Sequence, residues 1–223
     1  MTIKMPYIPK EDRPSLDEKV NALAEEIASR VISLDTGLDE GINISTIYKN
    51  TIISLANVLY ELKTGVPFVD SEPKELEREL AFEIRDKGAW LGGLNYSLTR
   101  LIQVVPKKMV EKDKWKGEFR YWLYAQTVGA LERSALYIDS IGRAKTSWGF
   151  HEGDWVIDGI VGVLIDVKDE YKRRVNTAYE AVQIKKNGDC YDTPYRTELK
   201  EVKDEKGNII GYQEIMKDFR GKK

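Results

Sequence analysis

The residues best suited to binding chemistry are arginines, tyrosines and amides in two parts of the chain. Tyr96 and Arg100 are four residues apart and share one face of a predicted helix. Arg173 and Arg174 project about 100° apart, so only one of them can face the same groove. A guanidinium fork binds phosphate, and a tyrosine ring stacks on a base. The pattern predicts a site for a small anionic, nucleotide-like ligand, formed by Asn95, Tyr96, Arg100, Arg173, Arg174, Tyr179, Asn187 and Asp189.

The same polar residues also fit a structural role. In that alternative Arg100 pairs with Asp189 or Glu180, and Asn95 bridges backbone groups. Polar networks of this kind often hold elements of a fold together instead of binding a ligand. The sequence leaves both interpretations open.

Acidic residues provide a second candidate site. All-α nucleotide pyrophosphatases hold magnesium with carboxylates three residues apart on facing helices, because this hard cation prefers oxygen ligands. Three pairs have this offset: Glu72 and Glu75, Glu83 and Asp86, and Asp166 and Asp169. Such pairs also arise by chance in a chain with 37 acidic residues. Magnesium is therefore expected only under this alternative, and otherwise no cofactor or metal is expected.

Histidine and cysteine, which often act in catalysis or bind metals, occur only once each in the sequence. His151 is the one histidine, so histidine metal sites and a Ser-His-Asp triad are poorly supported. Cys190 has no adjacent base and is interpreted as a small packed residue.

Glu111 and Asp113 interrupt a series of lysines, which favours a solvated loop over a nucleic-acid surface. These lysines are Lys107, Lys108, Lys112, Lys114 and Lys116.

The elements that must position these residues are mainly α-helical. Apolar residues at helical spacing predict a bundle of about six helices with a C-terminal β-hairpin region. A Ser-x-x-Glu capping box predicts that the first helix starts at Ser15, and Pro106 is expected to stop a short fourth helix that begins at Gly93. The other predicted helices start at Ser45 or Thr46, after Ser71, near Trp115 (ending near Ser140) and at Asp154 (ending near Asn176).

The end of the chain changes to a strand pattern. Asn187-Gly188 is typical of a two-residue hairpin turn, and a second hairpin is predicted with arms 197–202 and 208–215. An isolated hairpin is marginally stable in water. We therefore expect a helical domain of residues 1–180 and a tail of residues 181–223 docked on the bundle or on a partner subunit.

The amino-acid composition limits which classes of protein this chain can belong to. The chain has 223 residues, 42% hydrophobic and 32% charged, with a formal net charge of −2. It is too apolar for a disordered chain, and it has no apolar run of about 18 residues that could span a membrane. The near-neutral charge makes bulk binding of nucleic acid unlikely. One cysteine and the lack of an apolar leader indicate a cytoplasmic protein.

Two helices have features typical of close packing or of an interface. The fifth helix is apolar nearly all round, which predicts a central position or a surface shared with a partner chain. Gly159 and Gly162 lie in the sixth helix, where each glycine costs about 1 kcal/mol relative to alanine. We expect another helix to cross there: the fifth, near Gly129 and Ala130, or a second copy of the sixth. Five tryptophans also favour a homo-oligomer.

Three stretches of the chain resemble an uncharacterised family of small phage and prokaryotic proteins. They are MPYIPKEDRPSLDEKVNALAEEI from Met5, GLNYSLTRLI from Gly93, and residues 162–192 with GVL, tandem arginines and NGD. The resemblance carries no established activity. It implies that relatives are shorter, so residues 35–92 and 106–153 are insertions in this chain. It also implies a phage or mobile-element setting.

Three functions are therefore open. The first is a non-enzymatic, oligomeric helical protein that binds a small anionic ligand or a host protein. The second is a magnesium-dependent all-α nucleotide pyrophosphatase, which needs three or four carboxylates around one cavity. The third is a purely structural or assembly subunit. The first is favoured.

Overall fold

The described part of the chain is mainly helical. The computed structural model describes residues 8–34, 44–69, 72–87, 89–112, 121–145, 153–177, 181, 195–203 and 209–218. Across these ranges the expectation of a mainly α-helical fold is confirmed. The six helices are α1 (Arg13–Leu34), α2 (Ile44–Thr64), α3 (Glu75–Arg85), α4 (Trp90–Glu111), α5 (Tyr121–Lys145) and α6 (Asp154–Tyr171).

The chain divides into two compact units, Met1–Thr177 and Ala178–Lys223. The first unit contains all six helices. Among the described helices, none combines the length and the apolar character that crossing a bilayer requires.

Apolar stripes bury one face of each helix in a common core. In α1 Val20, Leu23 and Ile27 follow one another at three- and four-residue spacing, and all three are buried, as on one face of a helix. Twelve of the 21 residues of helix α2 are buried. It packs against both α3 and α5.

The starts of several helices differ from the prediction, among them α4, which begins at Trp90 and not at Gly93. Helix α1 begins at Arg13 after a 3₁₀ turn, two residues before the predicted capping box, because Pro14 fits the first helical turn. The Ser15 hydroxyl instead donates to the Asp12 carbonyl at 3.2 Å. Helix α3 begins at Glu75, where the buried Glu77 carboxylate accepts the backbone N–H of Lys74 at 2.9 Å.

Pro106 does not end α4, which was predicted to stop there. The helix continues to Glu111 with the proline inside it. Proline removes one backbone hydrogen bond, but tertiary contacts hold the following turn. Met109 is buried in the core, and Lys108 and Lys112 form ion pairs with Glu25 of α1. The segment expected to be a solvated basic loop is therefore partly helix.

Helix α5 is not central, contrary to one of the two positions predicted for it. Leu131 and Ile138 are buried, whereas Leu136 is 70% exposed and Tyr137 is also exposed. The helix therefore has one core face and one open face. Helix α6 starts at Asp154 and is followed by a π-helical turn, Lys172–Asn176.

The second unit contains two strands, β1 (Tyr195–Lys203) and β2 (Ile209–Asp218). They pair antiparallel, with Tyr195 opposite Asp218 and an irregular register between Val202 and Lys203. The connecting residues 204–208 and the predicted Asn187-Gly188 turn lie outside the described residues. The predicted C-terminal β-hairpin region and its docking therefore stay predictions.

Candidate functional site

A polar network, the motif cluster, joins α1 to α4 through Arg13, Asp17, Tyr96 and Arg100. The Tyr96 hydroxyl lies 3.0 Å from both carboxylate oxygens of Asp17. Arg100 Nε donates to Asp17 Oδ1 at 2.9 Å. The guanidinium of Arg13 lies over the Tyr96 ring, 5.5 Å from its centroid. One carboxylate of α1 thus accepts hydrogen bonds from two side chains of α4.

The surroundings of Tyr96 and Arg100 raise the pKa of both side chains. Burial, and then the hydrogen bond to Asp17, raises the pKa of Tyr96, so its hydroxyl stays a donor. The hydrogen bond to Asp17 raises the pKa of Arg100, so its guanidinium stays charged. Arg100 therefore pairs with Asp17, and not with Asp189 or Glu180, which both lie outside the described residues. This geometry is more typical of a structural contact between two helices than of an open ligand site.

Arg173 and Arg174 lie on the π-helical turn and share one carboxylate. Arg173 forms two hydrogen bonds of 2.8 Å with Glu170, and Arg174 bonds to the same residue. These bonds hold the pKa of Glu170 at about 2, below its usual 4.5. Both arginines stay strongly exposed. Residues three and four positions after Glu170 both lie beside it on the helix, so both arginines reach it.

The predicted ligand set falls into two groups in the described residues. Tyr96 and Arg100 meet at Asp17, whereas Arg173 and Arg174 meet at Glu170. No described hydrogen bond or ion pair links one group to the other. Asn95 is half-buried on α4. The remaining predicted members lie outside the described residues: Tyr179, Asn187 and Asp189.

Of the acidic residues proposed for magnesium, Glu83, Asp86 and Asp169 contact basic side chains. Glu83 pairs with Lys87 at 2.8 Å, and Asp86 bonds to Arg85 at 2.7 Å. Within the described ranges, no group of three or more histidine, cysteine, aspartate or glutamate side chains could hold a metal ion. The carboxylates that the pyrophosphatase alternative requires therefore do not converge in this part of the chain. His151 and Cys190 lie outside it.

Helix α6 presents an exposed acidic and apolar surface, here called the α6 outer face. Trp155 is 54% exposed and Ile165 is 43% exposed, which is unusual for such large apolar side chains. The Trp155 ring packs edge-on against Trp90, with centroids 6.1 Å apart, so it is held in position. The residues of this face span about 100° of the helix circumference. They are Trp155, Asp158, Gly162, Ile165, Asp166 and Asp169.

The two glycines of α6 have different surroundings. A Cβ on Gly159 would lie 3.1 Å from both terminal carbons of Leu91 in α4. The helix that crosses Gly159 closely is therefore α4, and the expectation that α5 crosses there near Gly129 is wrong. Helix α5 instead approaches α6 at Gly142, which lies against Ile157. Gly162 is exposed, and a Cβ there would have no neighbour within 4 Å.

A concave surface, the α5–α6 groove, lies between α5 and the π-helical turn. Its volume is about 520 Å³, within the range of about 300–1,000 Å³ typical of small-molecule sites. Lys168 and Lys172 share Glu132, with Nζ atoms 3.7 and 3.6 Å from the same oxygen. The buried Oδ1 of Asn176 has no hydrogen-bond partner. The lining residues are Tyr124, Ala125, Val128, Gly129, Glu132, Lys172, Asn176 and Thr177.

Comparison with protein-family models identifies a match over residues 5–147, to a family described as "Domain of unknown function (DUF6899)". The chain belongs to this family. No curated protein and no solved structure matches the chain.

The DUF6899 match includes both helices of the motif cluster. Asp17 and Arg100 both fall between residues 5 and 147, and they come from the first and second resembling stretches. The third stretch, residues 162–192, begins beyond the end of the match. The proposed insertions, residues 35–92 and 106–153, stay predictions because the match gives only outer limits. The expectation of an uncharacterised family is confirmed.

Sequence reasoning missed several of these residues. Asp17 was not selected, although it lies four residues after Arg13 within a stretch that carried the resemblance. Lys172 and Asn176 were also missed, since a lysine and an amide at helical spacing are common on solvated surfaces. Trp155 was noted only as one of five tryptophans. Gly162, on the same face of α6, was the residue from which an open helix face could have been predicted.

Proposed function

We propose that this DUF6899 protein is a non-enzymatic binding protein that docks another protein on the α6 outer face. The observation that carries the proposal is the open space above Gly162, between the exposed Trp155 and Ile165. A glycine inside a helix costs about 1 kcal/mol relative to alanine. Leu91 accounts for that cost at Gly159, but no described atom does so at Gly162. Close approach of a partner helix would account for it.

The chemistry of the face favours a basic amphipathic helix as the partner. Asp158, Asp166 and Asp169 are exposed beside the two apolar side chains. Apolar residues of a partner would pack on Trp155 and Ile165, and lysines or arginines along its flank would meet the carboxylates. Trp155 is suited to be the main contact, because tryptophan is enriched among residues that dominate binding energy.

A second copy of α6 fits this face less well. In an antiparallel two-fold crossing at Gly162, Asp158 of one copy would oppose Asp166 of the other. In a parallel crossing each aspartate would oppose its own equivalent. Either arrangement places like charges together, which is unfavourable. The self-association that we expect from the sequence would therefore use another surface, and the exposed Leu136 on α5 supports such a contact.

Three designed peptides test the proposal. They share one apolar helical pattern and carry lysine, glutamine or glutamate at the polar positions. We expect the lysine peptide to bind in fluorescence anisotropy, with an affinity that falls as salt rises. Gly162→Leu and the double change Asp158→Lys with Asp166→Lys should each weaken binding at least tenfold. Failure of all three peptides to bind, or equal binding to wild type and Gly162→Leu, contradicts the proposal.

Matched variants control for general effects of bulk and charge. Ala144→Leu places the same leucine side chain on an exposed position of α5, and Glu75→Lys reverses an exposed charge on α3. Both should bind the lysine peptide as the wild type does. Equal binding of the glutamine peptide would show that the face docks helices but that the charge argument is wrong.

The wider setting is also proposed. We place the protein in a phage or mobile element acting in a host cytoplasm, supported by the order of the resembling stretches and by the single cysteine. The C-terminal β-hairpin region would dock on the bundle or on a partner subunit. The alternation of residues 197–202 supports that region.

A further inference from the structure

The open face of α5 continues onto α2 as a basic and apolar surface, here called the α2–α5 patch. It consists of the exposed Leu136 and Tyr137, the exposed Arg133 one turn before Tyr137, and Lys49 of α2. The Lys49 ammonium lies over the Tyr137 ring, 5.2 Å from its centroid, and the Arg133 guanidinium bonds to the Ser45 hydroxyl. In the part of the chain that the structure describes, neither cation pairs with a carboxylate.

The α6 outer face carries the opposite charge. Asp158 and Asp166 are exposed there beside Trp155 and Ile165, and among the described residues neither carboxylate pairs with a cation. Each of the two surfaces thus combines two exposed apolar side chains with two unpaired charges of one sign. Opposite charges across a contact favour association, whereas like charges oppose it.

The two surfaces of one chain do not meet each other. Arg133 and Tyr137 lie on the side of α5 that faces α2, where their contacts are. Glu132 is 100° away around the helix and lies on the side that faces α6, where it pairs with Lys168. The α2–α5 patch can therefore contact the α6 outer face only of another copy.

We propose that the α2–α5 patch of one copy docks on the α6 outer face of the next. Leu136 would enter the open space above Gly162, and the two cations would meet the two aspartates. Because the two surfaces differ, the contact is heterologous, and copies add head to tail into a ring or a filament. The inference rests on the proposed docking role of the α6 outer face, and it names a second copy of this chain as the partner.

The contact should be weak, because each surface offers few side chains. We expect monomers at about 10 µM and assemblies at about 500 µM, as is typical of small interfaces. Binding of the lysine peptide at the lower concentration therefore reports on the monomer. At the higher concentration the same peptide should compete with the α2–α5 patch and return the assemblies to monomers.

Sedimentation velocity tests the inference with two variants that each lose one surface. Leu136→Glu places a carboxylate in the α2–α5 patch, and Gly162→Leu fills the space on α6. The wild type should sediment faster as its concentration rises, whereas each variant alone should stay monomeric. Their mixture should form a one-to-one dimer and nothing larger, because it holds one intact surface of each kind. Val110→Glu, at an exposed apolar position of α4, is the control and should assemble as the wild type does.

The results distinguish this contact from the alternatives. Continued self-association of Gly162→Leu or of Leu136→Glu alone would show a different interface and overturn the inference. A mixture that forms no dimer, although circular dichroism shows both variants folded, would also overturn it. Arg133→Glu should reproduce the results of Leu136→Glu. A wild type that stays monomeric at the highest concentration but binds the lysine peptide would overturn head-to-tail assembly and leave the docking role of the α6 outer face intact.

Discussion

The motif cluster allows a quantitative prediction about how α1 and α4 are held together. Asp17→Ala would remove the acceptor of Tyr96 and Arg100 and leave the Arg100 guanidinium without its carboxylate partner. A hydrogen bond to a charged group contributes about 1.5–3 kcal/mol, and an exposed ion pair about 0–1 kcal/mol. The side chains of Asp17 and Arg100 are 30% and 31% exposed, so an intermediate value applies.

We therefore expect Asp17→Ala to lower the free energy of unfolding by about 2 kcal/mol. For a chain of this size that corresponds to a fall in melting temperature of about 4–8 °C. Arg100→Ala should cost about 1–2 kcal/mol, and the double-mutant cycle of the two changes should give a coupling of about 1 kcal/mol. Urea denaturation followed by circular dichroism measures all four states.

Arg173→Ala is the control, because its ion pair with Glu170 is strongly exposed and Glu170 keeps its bond to Arg174, so stability should change much less than for Arg100→Ala. The reasoning is refuted if Arg100→Ala is as neutral as the control, or if the coupling between positions 17 and 100 is zero. Arg100 would then be available for a ligand, as the sequence first suggested.

Two further predictions concern α6. Gly162→Ala should stabilise the free protein by about 1 kcal/mol, since the new methyl group has open space and alanine favours helix. Gly159→Ala should give no such gain, because Leu91 must move. Equal urea midpoints for the two variants would contradict the difference between the surroundings of Gly159 and Gly162. The Glu170 carboxyl should titrate at about 2 by NMR, below its usual 4.5. Because this pKa is lowered, any stabilisation from Glu170 is present above pH 4.5 and lost as the pH falls towards 2. Arg173→Ala should shift the titration upward, and an unshifted titration in the wild type would refute the ion pairs.

Local spacing predicted most of the helical core, because the positions of buried residues depend on helix geometry alone. Val20, Leu23 and Ile27 in α1 and Ile160 and Leu164 in α6 are buried at the three- and four-residue spacing that one helix face requires. Asp154 was predicted to cap α6; it is instead the first residue of the helix, after Gly153.

Features decided by contacts between distant residues could not be predicted in this way. The continuation of α4 past Pro106 depends on Met109 and on ion pairs with Glu25, more than 80 residues earlier in the chain. Tyr96 and Arg100 were correctly assigned to one helix face, but their shared partner Asp17 is distant in sequence. By contrast, the pairing of Arg173 and Arg174 with Glu170 was within reach of local reasoning, because the offsets are three and four residues.

The proposed docking surface is tested most directly by amide hydrogen exchange with and without the lysine-bearing peptide. We expect the peptide to slow exchange within α6, centred on Gly162, and to leave α5 around Leu136 unchanged. The same experiment on Gly162→Leu should show no slowing. Protection confined to another helix, or equal protection in both proteins, would contradict docking on the α6 outer face.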